Sequence, residues 1–334
     1  GIPSRVLGHS YGSPITYSTV YHERSMAPGQ LIFQEMRDVY RYNQIGPDTQ
    51  IFGVIADPIG HSLSPLIHNT AFAKLGINAV LMPMRVSRSD LDDFFNVAAE
   101  MKMRGLAVTI PHKEAIIPKL DEASGVILEI GAANTIVFQE GLKMGYNTDY
   151  PAALGAIEEA ILKTRGEEEK GEAPQELDLT GKTALVLGSG GVGMTIASGL
   201  MRRNAKVVVT DGARPRALAL GKRLGAEVVD WDSRHSVPSD ILVNCTPVGM
   251  HPNVNETPYD KLRLRPSMLV FDVVYNPENT LLIKSALEQN CTVVTGVEMF
   301  VRQAVLQFKY FTGQDAPYDL MYDVVKKATS AARV

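Results

Sequence analysis

The stretch Thr183–Met194, T-A-L-V-L-G-S-G-G-V-G-M, constrains this chain more than any other. A run of strand formers, Ala184, Leu185, Val186 and Leu187, stops at a cluster of glycines. A helical pattern then follows through Ile196, Ala197 and Leu200. A buried parallel strand reads as such a run, and Gly188, Gly190 and Gly193 supply G-x-G-x-x-G at the turn into the helix. The glycines allow a tight turn, close approach of a pyrophosphate to the backbone, and close helix–strand packing. The freed N–H groups, that of Gly191 among them, and the positive end of the helix dipole then face the phosphates. Glycine-rich turns also occur as plain loops. A strand before and a helix after favour dinucleotide binding.

A chain of 334 residues has room for two or three domains. Its 45% hydrophobic and 21% charged content is that of a soluble globular protein. A net charge of −4 gives no reason to expect nucleic-acid binding. Cys245 and Cys291 lie far apart, and the histidines form no H-x-x-x-H pair, so no metal is expected. No apolar run has the length of a membrane span and no signal-peptide layout opens the chain, so a reduced, cytoplasmic setting is expected, or a plastid in a plant.

Residues before Gln50 read as loops, a short strand and a helical pattern with Leu31, Ile32, Met36, Val39 and Tyr40, too little to enclose a core. Alternation then begins: strands at Ile51–Ile55, Val80–Val86 and Gly105–Ile110, with helices at Leu66–Leu75, Leu91–Met101 and from about His112. A strand pair at Ala133–Phe138 and Leu142–Tyr146 leads to a helix at Tyr150–Lys163. The run Arg165–Glu176, rich in Glu, Lys and Gly, reads as a solvated loop. Beyond the glycine turn, strands read at Lys206–Thr210, Glu227–Val229, Ile241–Cys245, Leu269–Val274 and Thr292–Val294, and amphipathic helix from Phe300. This is an α/β chain of two domains, a mainly parallel α/β domain followed by a doubly wound dinucleotide domain.

Three stretches can carry chemistry, each with a plainer reading beside it. In His61-Ser62-Leu63-Ser64-Pro65, Ser64 is either an N-cap before Pro65 or, with Ser62 and the helix N-terminus, part of a carboxylate site. In Val108-Thr109-Ile110-Pro111-His112-Lys113, Pro111 is expected to start a helix with Lys113 in its first turn. There the dipole disfavours the charged amine, which suits proton transfer; a surface lysine bending into water is the alternative. In Asn147-Thr148-Asp149, Asp149 either caps the next helix or is a carboxylate partner for Lys113.

Taken together, G-x-x-x-x-P-x-x-H-S-x-S-P-x-x-H-N from Gly53 to Asn69, V-T-I-P-H-K, G-A-A-N-T, N-T-D, G-S-G-G-V-G, N-C-T-P-V-G-M, D-V-V-Y-N-P and G-V-E-M-F-V-R-Q-A resemble shikimate dehydrogenase. The resemblance implies that Lys113 and Asp149 are the catalytic pair and that Ser62 and Ser64 hold the substrate carboxylate. It implies that Thr109, Asn134 and Gln303 bind the ring hydroxyls with Tyr275 nearby. Asn244, Thr246, Pro247 and Gly249 would line the nicotinamide side. Separately, P-S-R-V-L-G, G-S-P-I-T-Y and A-P-G-Q resemble the C-terminal end of the Schiff-base class of 3-dehydroquinate dehydratases, a (β/α)8 barrel enzyme, in which Arg5 and Gln30 would bind substrate. That family's serine before A-P-G-Q is replaced by Met26, and its Schiff-base lysine would lie upstream of Gly1. The arrangement as a whole is similar to bifunctional dehydratase/dehydrogenases.

One place departs from the family. Where NADP-using members carry Asn-Arg-Thr, this chain has Asp211-Gly212-Ala213. An acid about twenty residues past the first glycine accepts the ribose 2′-hydroxyl of NAD and would repel a 2′-phosphate. Arg216, on a second arginine of the NADP pattern, and Arg214 oppose that repulsion. NAD is therefore favoured against the family default of NADP. The expected boundaries are a dehydratase fragment at 1–48, a substrate domain at 49–150, a dinucleotide domain at 151–299 and returning helices at 300–334. The expected activity is reversible hydride transfer between shikimate and 3-dehydroshikimate. A quinate dehydrogenase and a non-catalytic dinucleotide sensor are the alternatives.

Overall fold

The computed structural model describes residues 1–60, 62–166 and 176–330, and the chain divides into two compact units. His61 and most of the run Arg165–Glu176 lie outside the described residues. The first unit comprises Gly1–Thr148 with Ala304–Val325. Its elements are α1 (Ile2–Val6), β1 (Gln50–Ala56), α2 (Ser64–Lys74), β2 (Ala79–Arg85), α3 (Leu91–Glu100), β3 (Gly105–Val108), β4 (Glu122–Ala123), α4 (Gly125–Ile130), β5 (Thr135–Gln139) and β6 (Leu142–Tyr146).

Among the described residues these strands form one sheet in the order β2-β1-β3-β5-β6-β4. The sheet is mainly parallel: β1 runs parallel to β2 and β3, and β4 to β6, while β5 alone runs antiparallel, to β3 and β6. The hairpin β5–β6 is short enough to turn back directly, with Gly141 at φ +82 in its turn. Asn69 ties α2 to the sheet, its Nδ2 donating to the Leu81 carbonyl at 2.9 Å and its Oδ1 accepting from the Leu81 N–H at 2.7 Å.

One expectation is corrected here. No α-helix follows His112. Pro111 sits inside a turn closed by the His112 N–H on the Thr109 carbonyl at 2.9 Å, and the chain then makes further turns and a short 3-10 segment at Ile117–Lys119. The dipole conflict expected at Lys113 is therefore absent. The helical pattern read from Leu31 to Tyr40 is present from Phe33 to Val39, π-helical over Glu35–Val39, while Ile32 forms a bridge to Thr19. Val6, Leu7, Leu31, Met36, Tyr40 and Ile45 lie buried in one cluster with Ile51, Val80, Met82 and Met84 of the sheet.

The second unit comprises Asp149–Gln303 with residues from Lys326 onward. It contains α5 (Asp149–Arg165), β7 (Thr183–Leu187), α6 (Gly191–Arg202), β8 (Lys206–Thr210), α7 (Arg214–Leu224), β9 (Glu227–Val228), β10 (Ile241–Asn244), β11 (Leu269–Asp272), α8 (Leu281–Glu288) and β12 (Thr292–Val294). The strands pair in parallel in the order β12-β11-β10-β7-β8-β9. This is the doubly wound order, with its switch point between β7 and β10. The apolar strands are buried on both faces, which is why they read as unbroken hydrophobic runs.

Helix α9 (Gly296–Thr312) begins in the second unit and ends in the first, and α10 (Tyr318–Ser330) follows. Within the first unit, Phe311 of α9 meets Phe52 with ring centroids 4.9 Å apart, and Phe308 meets Phe72 at 5.3 Å. Gly105 of β3 is required here, because a Cβ would stand 2.8 Å from the Phe311 ring.

Candidate active site

Strand direction gathers the first unit's polar residues. β1 and β3 end on one edge of the sheet, and antiparallel β5 starts there, with Ala107 opposite Thr135. β6 ends on the same edge, with Thr135 opposite Tyr146. Ser62 and Ser64 follow β1, Thr109 and Lys113 follow β3, Asn134 precedes β5, and Thr148 follows β6. Backbone bonds stitch these loops together: Val108 N–H to Asn134 O at 2.7 Å, Ala133 N–H to Lys113 O at 2.9 Å, and Asn134 N–H to Tyr146 O at 3.1 Å. The carboxyl edge of strands in an α/β sheet is where ligands bind.

Lys113, Asn134, Thr148 and Ser64 are buried, and Ser62 and Thr109 are half-buried. Helix α2 starts at Ser64 with Leu63 as N-cap and no side-chain cap bond, so the capping role considered for Ser64 is not the one it plays. The Ser62 hydroxyl instead accepts from the Ser64 N–H at 3.3 Å. Asn134 is held on both amide atoms: Oδ1 accepts from the Thr148 N–H at 2.8 Å and Nδ2 donates to Thr148 Oγ1 at 2.9 Å. Gln307, a residue the sequence reading passed over, donates from Nε2 to the Asn134 carbonyl and to Thr135 Oγ1, both at 3.0 Å. Its one signal was its place one helical turn beyond Gln303.

The remaining substrate candidates belong to the second unit. Asp149 is buried and opens α5. Tyr275 stacks on Phe300 with centroids 4.6 Å apart. The Gln303 side chain is buried, with Nε2 donating to the Phe300 carbonyl at 2.9 Å.

The glycine turn has the form expected of a phosphate cradle. Gly188 sits at φ +96 with the space beside it filled by the Cys245 carbonyl, 2.9 Å from where a Cβ would be. A Cβ on Gly193 would stand 2.0 Å from the Gly188 carbonyl oxygen, so the turn admits no side chain there. Gly190 caps α6 without any side-chain bond, and first-turn N–H groups such as that of Gly191 have no partner within the helix, the arrangement that suits an anion. Asp211, at the end of β8, takes the Ser189 N–H and hydroxyl on Oδ2 at 2.8 and 2.6 Å, and the Ala213 N–H on Oδ1 at 2.8 Å. Burial alone would raise this carboxyl, but those donors, with the Arg216 charge, hold it below the usual carboxylate range. Arg216 reaches the glycine turn, its guanidinium 3.2 Å from where a Gly190 Cβ would be, whereas Arg214 is paired with Asp230.

After β10, Asn244 Oδ1 accepts the Thr246 N–H at 3.0 Å and hydroxyl at 2.6 Å, shaping the loop through Pro247 to Gly249, where φ is +91. Asn244 Nδ2 donates to Asp272, a buried carboxyl that the sequence reading did not single out. Among the described residues there is no cluster of side chains suited to a metal ion.

A doubly wound sheet with a glycine cradle at its switch point, joined to a separate α/β unit rich in polar groups at one sheet edge, defines a dinucleotide-dependent oxidoreductase. The comparisons narrow the class. The shikimate dehydrogenase substrate binding domain matches residues 54–136, the shikimate 5'-dehydrogenase C-terminal domain matches 296–326, and type I 3-dehydroquinase matches 1–47. A shikimate dehydrogenase (NADP(+)) from Pyrococcus furiosus is 37% identical over 83% of this chain and 95% of its own length. The crystal structure of shikimate 5-dehydrogenase from Thermus thermophilus with NADP(H) and shikimate superposes with a TM-score of 0.71 at 30% identity, over 84% of this chain and all (100%) of that one. This chain belongs to the shikimate dehydrogenase family. A bifunctional 3-dehydroquinate dehydratase/shikimate dehydrogenase from Arabidopsis thaliana is 38% identical over 98% of this chain, which spans 54% of that relative's length.

Proposed function

We propose that this chain catalyses reversible hydride transfer between 3-dehydroshikimate and the 3-position of shikimate, a step toward the aromatic amino acids. The observation that carries this reading is the buried set Ser64, Lys113 and Asn134, with Ser62 and Thr109, at the carboxyl edge of the first sheet. A bound nicotinamide supplies or accepts the hydride. Ser62 and Ser64 hold the substrate carboxylate at the N-terminus of α2, and Thr109, Asn134 and Gln303 bind ring hydroxyls beside Tyr275. In reduction Lys113 gives its proton to the oxygen that becomes the hydroxyl, and in oxidation it takes that proton back. Asp149 accepts from the same hydroxyl. Loss of a positioned proton-transfer group typically lowers turnover by about 10²–10⁴-fold. Lys113→Ala and Asp149→Asn are expected to fall in that range while still binding dinucleotide, and near-normal turnover would remove them from the mechanism. Assay with quinate beside shikimate decides the substrate, and dinucleotide binding without turnover on either would point to a sensor.

The cofactor preference rests on Asp211. A carboxylate has about four acceptor sites, and Ser189 and Ala213 leave Oδ1 of Asp211 able to accept a ribose hydroxyl. A 2′-phosphate placed there meets its charge, with Arg216 as the offset because Arg214 is engaged by Asp230. NAD is therefore the favoured cofactor, although the Pyrococcus relative is named for NADP(+).

Residues 1–47 add a second element, a dehydratase piece whose activity belongs to a larger barrel, in a bifunctional arrangement like that of the Arabidopsis relative. Arg5 has a buried Nε without a partner, and Gly29 brings the A-P-G-Q turn against α1, a Cβ there lying 2.9 Å from the Ile2 nitrogen. Gln30 Oε1 accepts from the Met26 N–H at 2.8 Å. Tyr11, Ile15, Tyr17, Val20, Tyr21, Met26 and Phe33 are all exposed, an apolar face that the rest of such a barrel would cover.

A further inference from the structure

His68, on α2, is wholly buried among aromatic rings, with Phe72, Phe308 and Phe311 at centroid distances of 6.3, 6.3 and 5.7 Å. Its Nε2 lies 3.4 Å from Gln307 Oε1. Directions along the chain of bonds that starts here can be worked out from what each atom is able to do. The Asn134 carbonyl can only accept, so the Gln307 atom bonded to it is the amide nitrogen, which also donates to Thr135 Oγ1. Gln307 Oε1 is then an acceptor, and His68 must carry its proton on Nε2. The Thr135 hydroxyl, having accepted from Gln307, donates to Asn134 Oδ1 at 2.9 Å. That oxygen also accepts from the Thr148 N–H, which leaves Nδ2 as the opposite end of a carboxamide that cannot flip without breaking several buried bonds.

We propose that His68 and Gln307 are positioning residues that set, through Thr135, the orientation in which Asn134 meets the substrate's ring hydroxyls. The inference rests on the reading of Asn134 as a substrate ligand. Packing alone does not explain an imidazole here. His68 Nδ1 is buried with no partner, a cost that a leucine in the same aromatic pocket would not carry. What the imidazole supplies, and leucine cannot, is a donor to the Gln307 Oε1 that the Asn134 carbonyl leaves facing away, reinforcing that orientation of the amide. His68, Thr135 and Gln307 are fully or almost fully buried, so the relay acts on the substrate through Asn134 rather than by touching it.

Steady-state kinetics on the full chain test this. Gln307→Leu keeps the bulk and removes the amide, and is expected to raise the KM for shikimate by about tenfold or more, with kcat and the cofactor KM changing less than about threefold. His68→Leu breaks only the outer link and raises the same KM less. His68→Gln, which returns a donor near the Nε2 position, brings it back to within about twofold of the parent. A lowered Tm with an unchanged KM in Gln307→Leu would show plain packing and overturn the proposal. Asn134→Ala separates the two layers of the argument. If that change leaves the KM unaltered, the ligand reading itself falls; if it raises the KM while Gln307→Leu does not, the positioning role alone is refuted. Should Gln307→Leu not fold, Thr135→Val removes the connecting hydroxyl with little change of shape and is read in the same way.

Discussion

Asp272 offers a quantitative test of the second unit's interior. It ends β11 fully buried, with Oδ1 accepting from Asn244 Nδ2 at 2.9 Å and the Val274 N–H at 3.0 Å, and Oδ2 accepting from the Thr280 hydroxyl at 2.7 Å. Burial outweighs these donors and lifts the carboxyl from 3.8 to about 6. A folded-state value above the unfolded one means that the folded protein holds the proton longer. The stabilisation is fully present below about 3.8 and is lost as pH rises through about 6. At about 1.36 kcal/mol per pKa unit, the loss across that window is on the order of 3 kcal/mol. Asp272→Asn keeps an acceptor for Asn244 and Val274 but removes the titration, at a cost of about 1 kcal/mol for the Thr280 bond. Urea unfolding from pH 4 to 7.5, followed by fluorescence of Trp231, reports on this unit directly. Trp231 is the chain's single tryptophan and packs against the cluster that holds Val270 and Leu282. The variant should gain on the parent as pH rises, ending more stable at neutral pH. A difference between the two proteins that stays constant with pH would refute the reasoning.

His68 makes the opposite prediction for the first unit. Burial depresses it from 6.5 to about 4, so its contribution is present above pH 6.5 and is lost as pH falls toward 4; hydrogen-exchange protection factors in β1 and α2 should fall over that range in the parent and less in His68→Leu. Ser62→Ala with Ser64→Ala should raise the KM for shikimate strongly while the melting temperature falls only modestly, since the Ser64 hydroxyl does not cap α2 and Ser62 holds its first N–H by one 3.3 Å bond; a fall in melting temperature with an unchanged KM would reject the carboxylate site. Asp211→Asn should shift kcat/KM from NAD toward NADP, and Gly212→Arg should shift it further; a parent preference for NADP would mean that Arg216 outweighs Asp211.

The dinucleotide unit was the more legible half because its signals are local. Strand β8 and strand β12 have the bounds expected from their apolar runs, and the glycines of the turn after β7 punctuate the sequence where the backbone needs them. Lys113 shows the limit of such reading. A proline that opens a helix and a proline inside a turn look alike in sequence, and the neighbouring His112, buried with Nε2 on the Val86 carbonyl at 2.8 Å, makes a long-range contact that no local pattern displays. The Asn134 relay was illegible for a related reason: Gln307 lies 173 positions from the carbonyl it bonds. In the first fifty residues, Thr19 pairing with Ile32 only trims the start of a helical pattern that the structure shows from Phe33 to Val39.

The cluster that joins the first residues to β1 and β2 bears on how the dehydratase-like segment is attached to the sheet. A join between modules is ordinarily a linker, a place where either partner can be lifted away with its interior intact. Here Val6, Leu7, Leu31, Met36, Tyr40 and Ile45 pack with Ile51, Val80 and Met82, and Arg41 reaches across to the Ala79 carbonyl at 3.2 Å. The dehydratase-like segment is thus a wall of the sheet that presents Ser62 and Lys113. A cut near residue 48, where function would draw the border, divides a single interior rather than separating two. Met36 and Met82 belong to that one buried cluster, so a change of side-chain volume in the first segment bears on the packing of the sheet.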